Sequence, residues 1–332
     1  MPAEKSIMRI HRLRLTLLLA ALLGATPAAS QTWPSRPVTM IVPYAAGGSV
    51  DVVARVVANK LGERLGQTVV IENVAGAGGV TGTQRAARAE PDGYTLLFSV
   101  ESTMAIAKLV QPTVVKYDSL ADFLPISLIG DAPLVLAGKK ELPANNITEL
   151  MVLLRQSPGK YNFASSGVGT SLQLAGEMIN IEGKVKMVHV PYRVGAQMVT
   201  DLMGNQIDLA VLPLVMALPN YRAGNIKIFG ITEPDRSPLA PDLPSLGDQA
   251  ELKNVSVTVW YGLFAPAKTD PAIVDRIYKE ISALTKEPDM KAKLADVNLR
   301  VVGSSPTEFA AFLAKEVEKY AVIIKAANIK AE

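Results

Sequence analysis

The chain has 332 residues with no cysteine, two histidines and a formal net charge of +3. Four of its 34 Lys and Arg residues and one of its 31 Asp and Glu residues lie in residues 1–30, so the rest of the chain has no net charge. Balanced charge gives no electrostatic reason for nucleic-acid binding, and without thiols or clustered histidines we expect no metal site and no cofactor.

Residues 1–30 have the layout of a secretory signal peptide. Basic residues come first, the apolar run from Leu15 to Leu23 follows, and the small residues Ala28-Ala29-Ser30 end the segment. The apolar run is too short to span a bilayer as a permanent helix, and no later segment is long and apolar enough to do so. We therefore expect cleavage near Ser30 and an exported, periplasmic protein.

The most informative motif is a strand followed by a glycine turn and the start of a helix. Val38–Val42 is short, apolar and rich in β-branched residues, which predicts a buried strand. Residues 43–48 end in two glycines, so the backbone is free to turn tightly with its amides unshielded. Ser49 is a suitable cap for the helix that follows, and Asp51 falls in its first turn. Backbone amides and a helix N-terminus together predict an anion site, with a plain turn as the alternative.

Two further strands end in loops of small residues. Thr68–Glu72 leads into residues 73–79, and Tyr161–Ala164 leads into residues 165–171. Strands and helices alternate along the chain, which predicts parallel sheets with helices on both faces. Because ligands of such sheets bind at the carboxyl ends of the strands, we expect the three loops to hold a small, carboxylated ligand.

We expect two α/β lobes rather than one, since a chain of this length is larger than most single domains. Residues 31–131 together with 258–332 form the first lobe, which is therefore discontinuous, and residues 132–257 form the second. Two short predicted strands, Ile126–Ile129 and Leu134–Ala137, flank the first boundary between the lobes.

A catalytic role finds little support in the motifs. Residues 76–82 resemble a dinucleotide-binding motif but have Thr81 in the place of the third glycine, and no Walker-type phosphate loop occurs. Ser165 and Ser166 are not in a G-x-S-x-G turn. His189 is the single histidine after residue 30, and no sequence feature places it near either serine. We expect no enzyme; an exported hydrolase that uses Ser165 or Ser166 is the alternative.

Several segments, taken in order, carry a resemblance to a known family. They are Trp33–Pro37, Val42–Arg55, Val70–Asn73, Gly76–Gly79, Pro91–Leu97, Ala164–Thr170 and Val190–Arg193. In that order the chain resembles the substrate-binding receptors of the tripartite tricarboxylate transporter family, the Bug-type periplasmic receptors, over nearly all of its length after residue 30. The resemblance implies an α/β, two-lobed periplasmic-binding-protein type II fold (Venus flytrap), in which each lobe is a mostly parallel sheet flanked by helices.

The same resemblance implies a receptor for a small organic acid. The ligand, a mono- or dicarboxylate with aromatic acids among the candidates, would bind in the cleft between the lobes and be delivered to a membrane permease. The receptor would act as a monomer and without a catalytic step. A receptor that presents its ligand to a sensor protein is the alternative.

The resemblance also implies which residues contact the ligand. Those carried over from the two loops are Tyr44, Ala46, Gly47, Gly48, Ser49, Asp51, Ala164, Ser165, Ser166, Gly167 and Thr170. Gln173 stands where the family frequently has a histidine, and Asp51 and Asp208 are expected to position backbone rather than to touch an anion. Arg193 is a candidate partner for a second carboxylate, with a solvated surface arginine as the alternative.

Overall fold

The computed structural model describes residues 33–193, 195–326 and 329. The chain forms two units, residues 1–35 and residues 36–332, and all of the described helices and strands lie in the second. The predicted signal peptide, residues 1–30, lies outside the described residues. No helix of the described residues is long and apolar enough to cross a membrane.

Strands and helices alternate through most of the described chain. The strands are β1 (Val38–Val42), β2 (Val69–Asn73), β3 (Thr95–Val100), β4 (Phe123–Lys139), β5 (Asn162–Ser165), β6 (Val188–Pro191), β7 (Leu209–Pro213), β8 (Ile226–Ile231), β9 (Thr258–Pro266) and β10 (Arg300–Val301). The helices are α1 (Ser49–Leu65), α2 (Val80–Ala87), α3 (Ala107–Val110), α4 (Ile147–Gln156), α5 (Ser171–Glu182), α6 (Gly195–Met203), α7 (Leu214–Arg222), α8 (Pro271–Leu284), α9 (Pro288–Asp296) and α10 (Pro306–Ala326). Shorter helical turns lie at Ala77–Gly79, Ser102–Ile106, Leu246–Asp248 and Ala250–Leu252.

The strands pair in the order β2-β1-β3-β9-β4-β7-β5-β6, and β8 and β10 also pair with β4. β1 is parallel to β2 and β3, and β5 is parallel to β6 and β7. β9 and β4 are antiparallel to their neighbours and join these two parallel groups. The fold is therefore a two-lobed α/β fold: β1, β2, β3, β9, β10 and the start of β4 build the first lobe, and β5 to β8 with the end of β4 build the second.

Strand β4 passes from one lobe to the other. Its first part pairs with β9 as far as Pro133 opposite Thr258, and its last part pairs with β7 from Leu134 opposite Pro213. The two short strands predicted in this region are therefore one strand of 17 residues. The partner strand changes between Pro133 and Leu134, while the lobe boundaries at residues 131 and 257 stay a prediction.

Aromatic side chains hold the C-terminal helix α10 against the first lobe. Trp260 and Phe264 of β9 are buried and contact Phe309 of α10, with ring centroids 5.7 Å and 4.9 Å apart. Trp260 Nε1 also donates a hydrogen bond to the buried carboxylate of Glu316 in the same helix. Because each aromatic ring buries a large apolar area, this cluster fixes the end of the chain beside the strands that connect the lobes.

Two of the three predicted binding loops lie where a buried strand leads into a helix. β1 leads through residues 43–48 into α1, whose N-cap is Gly48. The prediction that Ser49 caps this helix was wrong. The N-cap is Gly48, whose backbone is extended, so Ser49 is the first helical residue and the helix has no side-chain cap. β5 leads into α5, where the Thr170 side chain accepts a hydrogen bond from the N–H of Gln173 and caps the helix.

Candidate functional site

A cavity of about 920 Å³ lies between the two lobes. The first lobe contributes the loops after β1 and β2 and the end of β3, and the second contributes the loops after β5 and β6 and the starts of α5 and α6. The lining includes the polar and small residues Tyr44, Gly48, Ser49, Gly78, Gly79, Glu101, Ser102, Gln111, Ser166, Gly167, Tyr192 and Arg193. The carboxyl ends of the parallel strands therefore surround one space of the size of a small-molecule site.

Asp51 organises the loop after β1 from outside the cavity. Its buried carboxylate accepts hydrogen bonds from the Gly47 N–H, Arg55 Nε and Asn73 Nδ2, each at 2.9 Å. Asn73 Nδ2 also donates to the carbonyl oxygen of Tyr44, so the loop is tied to the end of β2. Burial opposes ionisation of Asp51, but the donors from Arg55, Gly47 and Asn73 outweigh it and hold the pKa of this carboxyl below its usual value. The charge of Asp51 is thus satisfied by the protein.

The glycine loop after β2 forms a second wall of the cavity. Gly79 has a φ of 96°, and a Cβ there would lie 2.6 Å from Thr103 Cγ2 and 2.9 Å from Tyr44 Cζ. Gly78 has a φ of 63° and faces the carbonyl oxygen of Val168 in the other lobe. A side chain at Gly79 would therefore displace Thr103 or Tyr44, and the positive φ at both residues favours glycine.

Ser165 and His189 are hydrogen-bonded behind the loop after β5, and the neighbouring contacts determine which atom donates. The Gly169 N–H donates to Gln173 Oε1 at 2.8 Å, so the amide nitrogen of Gln173 points to His189 Nδ1, 3.4 Å away. Since that nitrogen is a donor, His189 Nδ1 accepts and Nε2 carries the proton. His189 Nε2–H therefore donates to Ser165 Oγ at 2.6 Å, and the Ser165 hydroxyl donates to the carbonyl oxygen of Gly167 at 3.1 Å.

This arrangement is relevant to the hydrolase alternative, because it places His189 beside Ser165, a contact that no sequence feature had predicted. Ser165 is fully buried and does not line the cavity. Burial lowers the pKa of His189, and the tautomer present donates to the serine rather than accepting its proton. Ser166 does line the cavity, but none of the hydrogen bonds among the described residues joins it to a base. The pair positions the loop and does not form a nucleophile with its base.

Glu101, at the end of β3, links three segments at the floor of the cavity. Its carboxylate accepts hydrogen bonds from the hydroxyl groups of Ser102 and Ser171 and from the N–H of Trp260. The N–H of Ser171, the first residue of α5, also donates to Ser102 Oγ at 3.1 Å. Burial raises the pKa of Glu101 to about 7, although the hydroxyl and amide donors oppose the rise. The two bonds that involve Ser171 cross from the first lobe to the second, as does the one from Gln111 Nε2 to the carbonyl oxygen of Val168.

The structure divides the predicted site residues into two groups. Those that line the cavity are Tyr44, Gly48, Ser49, Ser166, Gly167 and Arg193; those that lie outside its lining are Ala46, Gly47, Asp51, Ala164, Ser165, Thr170, Gln173 and Asp208. Asp208 is bonded to Lys139 Nζ at 2.6 Å and to the Asn162 N–H, so it joins neighbouring strands. Arg193 is exposed at the rim of the cavity.

Sequence reasoning left several lining residues out of the candidate site. The run of glycines at Ala75–Gly79 marked this loop as one of the three expected to hold the ligand, but its residues were not named as contacts. Glu101, Met198 and Met216 had no such signal, because each comes to the cavity only through the order of strands in the sheet.

Comparison with known proteins places the chain in a family. Residues 53–329 match the TctC family, the tripartite tricarboxylate transporter family receptor. The chain belongs to this family. Protein BugT of Bordetella pertussis is 32% identical to it over 307 residues, which are 92% of this chain and 94% of BugT. The family predicted from the ordered motifs is therefore confirmed.

Solved structures of the same fold confirm the two-lobed architecture of this TctC receptor. The periplasmic binding protein BugD is 32% identical, with a TM-score of 0.85 and coverage of 90% of this chain and all of BugD. An R. palustris protein with adipate is 29% identical (TM-score 0.86, 90% of this chain and 99% of that one). MatC from Rhodopseudomonas palustris with bound malate is 30% identical (TM-score 0.82, 88% of this chain and all of MatC).

Proposed function

We propose that this TctC receptor binds one small organic acid in the cavity between its lobes and passes it to a membrane permease without a chemical step. The observation that carries the proposal is the convergence on one cavity of the N-terminus of α1 and two loops of small residues. The relatives with adipate and with malate support an acid as the ligand.

The N-terminus of α1 is the strongest anion-binding feature of the cavity. The first turn of a helix has N–H groups without partners inside the helix, and the helix dipole favours negative charge there. Gly48, Ser49 and Val50 of this turn line the cavity. Asp51 is in the same turn, but its charge is held by Arg55 and by the Gly47 and Asn73 donors. A ligand carboxylate is thus the expected partner of the exposed amides.

The loop after β5 would contact the same carboxylate from the other side. Ser166 and Gly167 line the cavity opposite the first loop, and the Ser165–His189–Gln173 chain holds them in place. Arg193 lines the cavity and would pair with a second carboxylate. The hydrogen bonds from Glu101 and Gln111 to the second lobe support a mechanism in which bound ligand stabilises the closed arrangement of the lobes.

The cellular part of the proposal is export to the periplasm and delivery to a permease. It is supported by the signal-peptide pattern of residues 1–30 and by family membership together with the periplasmic relative BugD. Uptake of a labelled acid separates a permease partner from a sensor: loss of the receptor should abolish uptake. Normal uptake with a lost transcriptional response would instead favour the sensor.

A thermal-shift screen tests the ligand class. Mono-, di- and tricarboxylates, aromatic acids, amino acids and nucleotides are compared with neutral compounds of similar size. An acid present at one hundred times its dissociation constant should add about 2.7 kcal/mol to the free energy of unfolding, because it binds the folded state alone. A shift by a neutral compound with none by any carboxylate would contradict the proposal.

A further inference from the structure

The cavity has few charges with which to hold the body of a ligand. Glu101 and Arg193 are the charged side chains among its described lining residues. Glu101 is fully buried, and the donors of Ser102, Ser171 and Trp260 occupy its carboxylate. Arg193 is exposed and lies at the rim. The interior of the cavity thus offers no free charge to an ammonium or carboxylate group in the middle of a ligand.

Several polar side chains that line the cavity are already bonded to the protein. Gln111 Nε2 donates to the carbonyl oxygen of Val168 at 3.1 Å, and Tyr192 Oη donates to Asp201 Oδ2 at 2.7 Å. Ser102 Oγ donates to Glu101 and accepts from the Ser171 N–H. A hydroxyl or ammonium group on the ligand's body would have to compete with these bonds after losing its own water.

The remaining wall of the cavity is apolar. It consists of side chains from α5, α6, α7 and the strands β3, β7 and β9, chiefly Leu172, Met198, Met216, Pro213, Val100 and Val259. The methyl groups of Met216 and Met198 both approach Gly195, within 3.4 Å and 3.9 Å of the place where its Cβ would lie. Methionine side chains are flexible and polarisable, so this pair is suited to a hydrocarbon or aromatic surface.

We propose that the ligand of this receptor is an acid with a hydrocarbon body, aliphatic or aromatic, and without a hydroxyl or ammonium group beside its carboxylate. This inference rests on the proposed function and names its substrate class. The carboxylate is bound at the loops after β1 and β5, the body lies against Met198, Met216 and Leu172, and a second carboxylate, where present, reaches the rim at Arg193. Hydroxy acids and amino acids bind more weakly, because the Ser49 and Ser166 hydroxyls are taken by the carboxylate and the wall that contacts the body is apolar.

Matched ligand pairs test the hydrocarbon body directly. Calorimetric titration compares succinate with malate, and 3-phenylpropionate with phenyllactate and phenylalanine, so that each pair differs by one polar group. The hydrocarbon member of at least one pair should bind more than about tenfold tighter than its polar counterpart. Equal or tighter binding of the polar member in every pair would overturn the inference that the ligand has a hydrocarbon body, but not the proposed receptor function. Failure of every acid in the wider screen overturns both.

Two methionine variants locate the body in the cavity. Met216 is half-buried and lines the cavity, whereas Met203, at the end of α6, is 39% exposed and does not. Met216→Gln should weaken binding of the best hydrocarbon acid by about tenfold, because a polar group replaces the apolar contact, while Met203→Gln leaves it unchanged. Thermal unfolding without ligand verifies that both variants fold. Equal affinity of the two variants would overturn the placement of the body against α7.

Discussion

At the scale of single residues, the protonation of His189 decides what the Ser165–His189 pair does. The Gly169 N–H fixes the orientation of the Gln173 amide, and the amide in turn makes His189 Nδ1 an acceptor. The proton on Nε2 then faces Ser165, which passes its own hydrogen to Gly167. A receptor loop needs this kind of rigid support, whereas a hydrolase needs a histidine that accepts the serine proton.

Nitrogen NMR of the histidine ring tests this assignment. A chain that begins at residue 31 contains one histidine, so its ring signals belong to His189. We expect the neutral ring with the proton on Nε2 at pH 6.5, because burial lowers the pKa of His189 below its usual value of 6.5. Since the folded state then binds fewer protons than the unfolded state, His189 should cost stability as the pH falls below that value. A proton on Nδ1, or a charged ring at pH 6.5, would contradict the assignment.

At the scale of elements, local sequence patterns predicted individual strands and helices, but not the contacts that form when the strands pair in the sheet. Val38–Val42 was predicted as a buried strand, and a helix was predicted after the glycine turn that follows it. The sequence did not predict β4 as a single strand, because Asp131 and Pro133 are residue types that commonly interrupt strands. In the structure both residues remain paired with β9. Residues that meet through strand register or strand order have no local signal, so the contacts of His189 with Ser165 and of Glu101 with Ser171 needed the structure.

Glu101 gives the contact between β3, β9 and α5 a pH dependence. Its pKa is raised from 4.5 to about 7, so between these values the folded state keeps a proton that the unfolded state releases. The free energy of unfolding should therefore fall as the pH rises through this window, by up to about 3 kcal/mol, and level off about one pH unit above the folded-state pKa.

Denaturant unfolding at pH 5 and pH 8 measures the effect of Glu101. Glu101→Gln has no proton to exchange, so its free energy of unfolding at pH 5 minus that at pH 8 should be lower than the wild-type difference by up to about 3 kcal/mol, because the contribution of His189 is the same in both proteins. Glu63→Gln, at an exposed residue of α1, serves as the control and should keep the wild-type difference. An unchanged pH dependence in Glu101→Gln would show that Glu101 is not the cause of the pH-dependent stability.

At the scale of the whole molecule, the two lobes share a continuous sheet. β4 and β9 cross between the parallel groups, and Arg300 of β10 binds both Asp131 of β4 and Glu233 beyond β8. The cavity lies beside this crossing and is bounded by loops from both lobes. Ligand contacts in such a cleft couple directly to the relative position of the lobes.

Calorimetric titration of one acid into three proteins tests the central claim, that the loop after β1 binds the ligand in this cavity. A Cβ at Gly48 meets the Ala45 carbonyl oxygen at an ordinary 3.4 Å, so Gly48→Leu should fold while its side chain fills the anion site. Ala46→Leu, two residues away, is exposed and outside the lining. We expect binding by the wild type and by Ala46→Leu, and a loss of about a hundredfold or more in Gly48→Leu at equal thermal stability without ligand. Wild-type affinity in Gly48→Leu would contradict the claim.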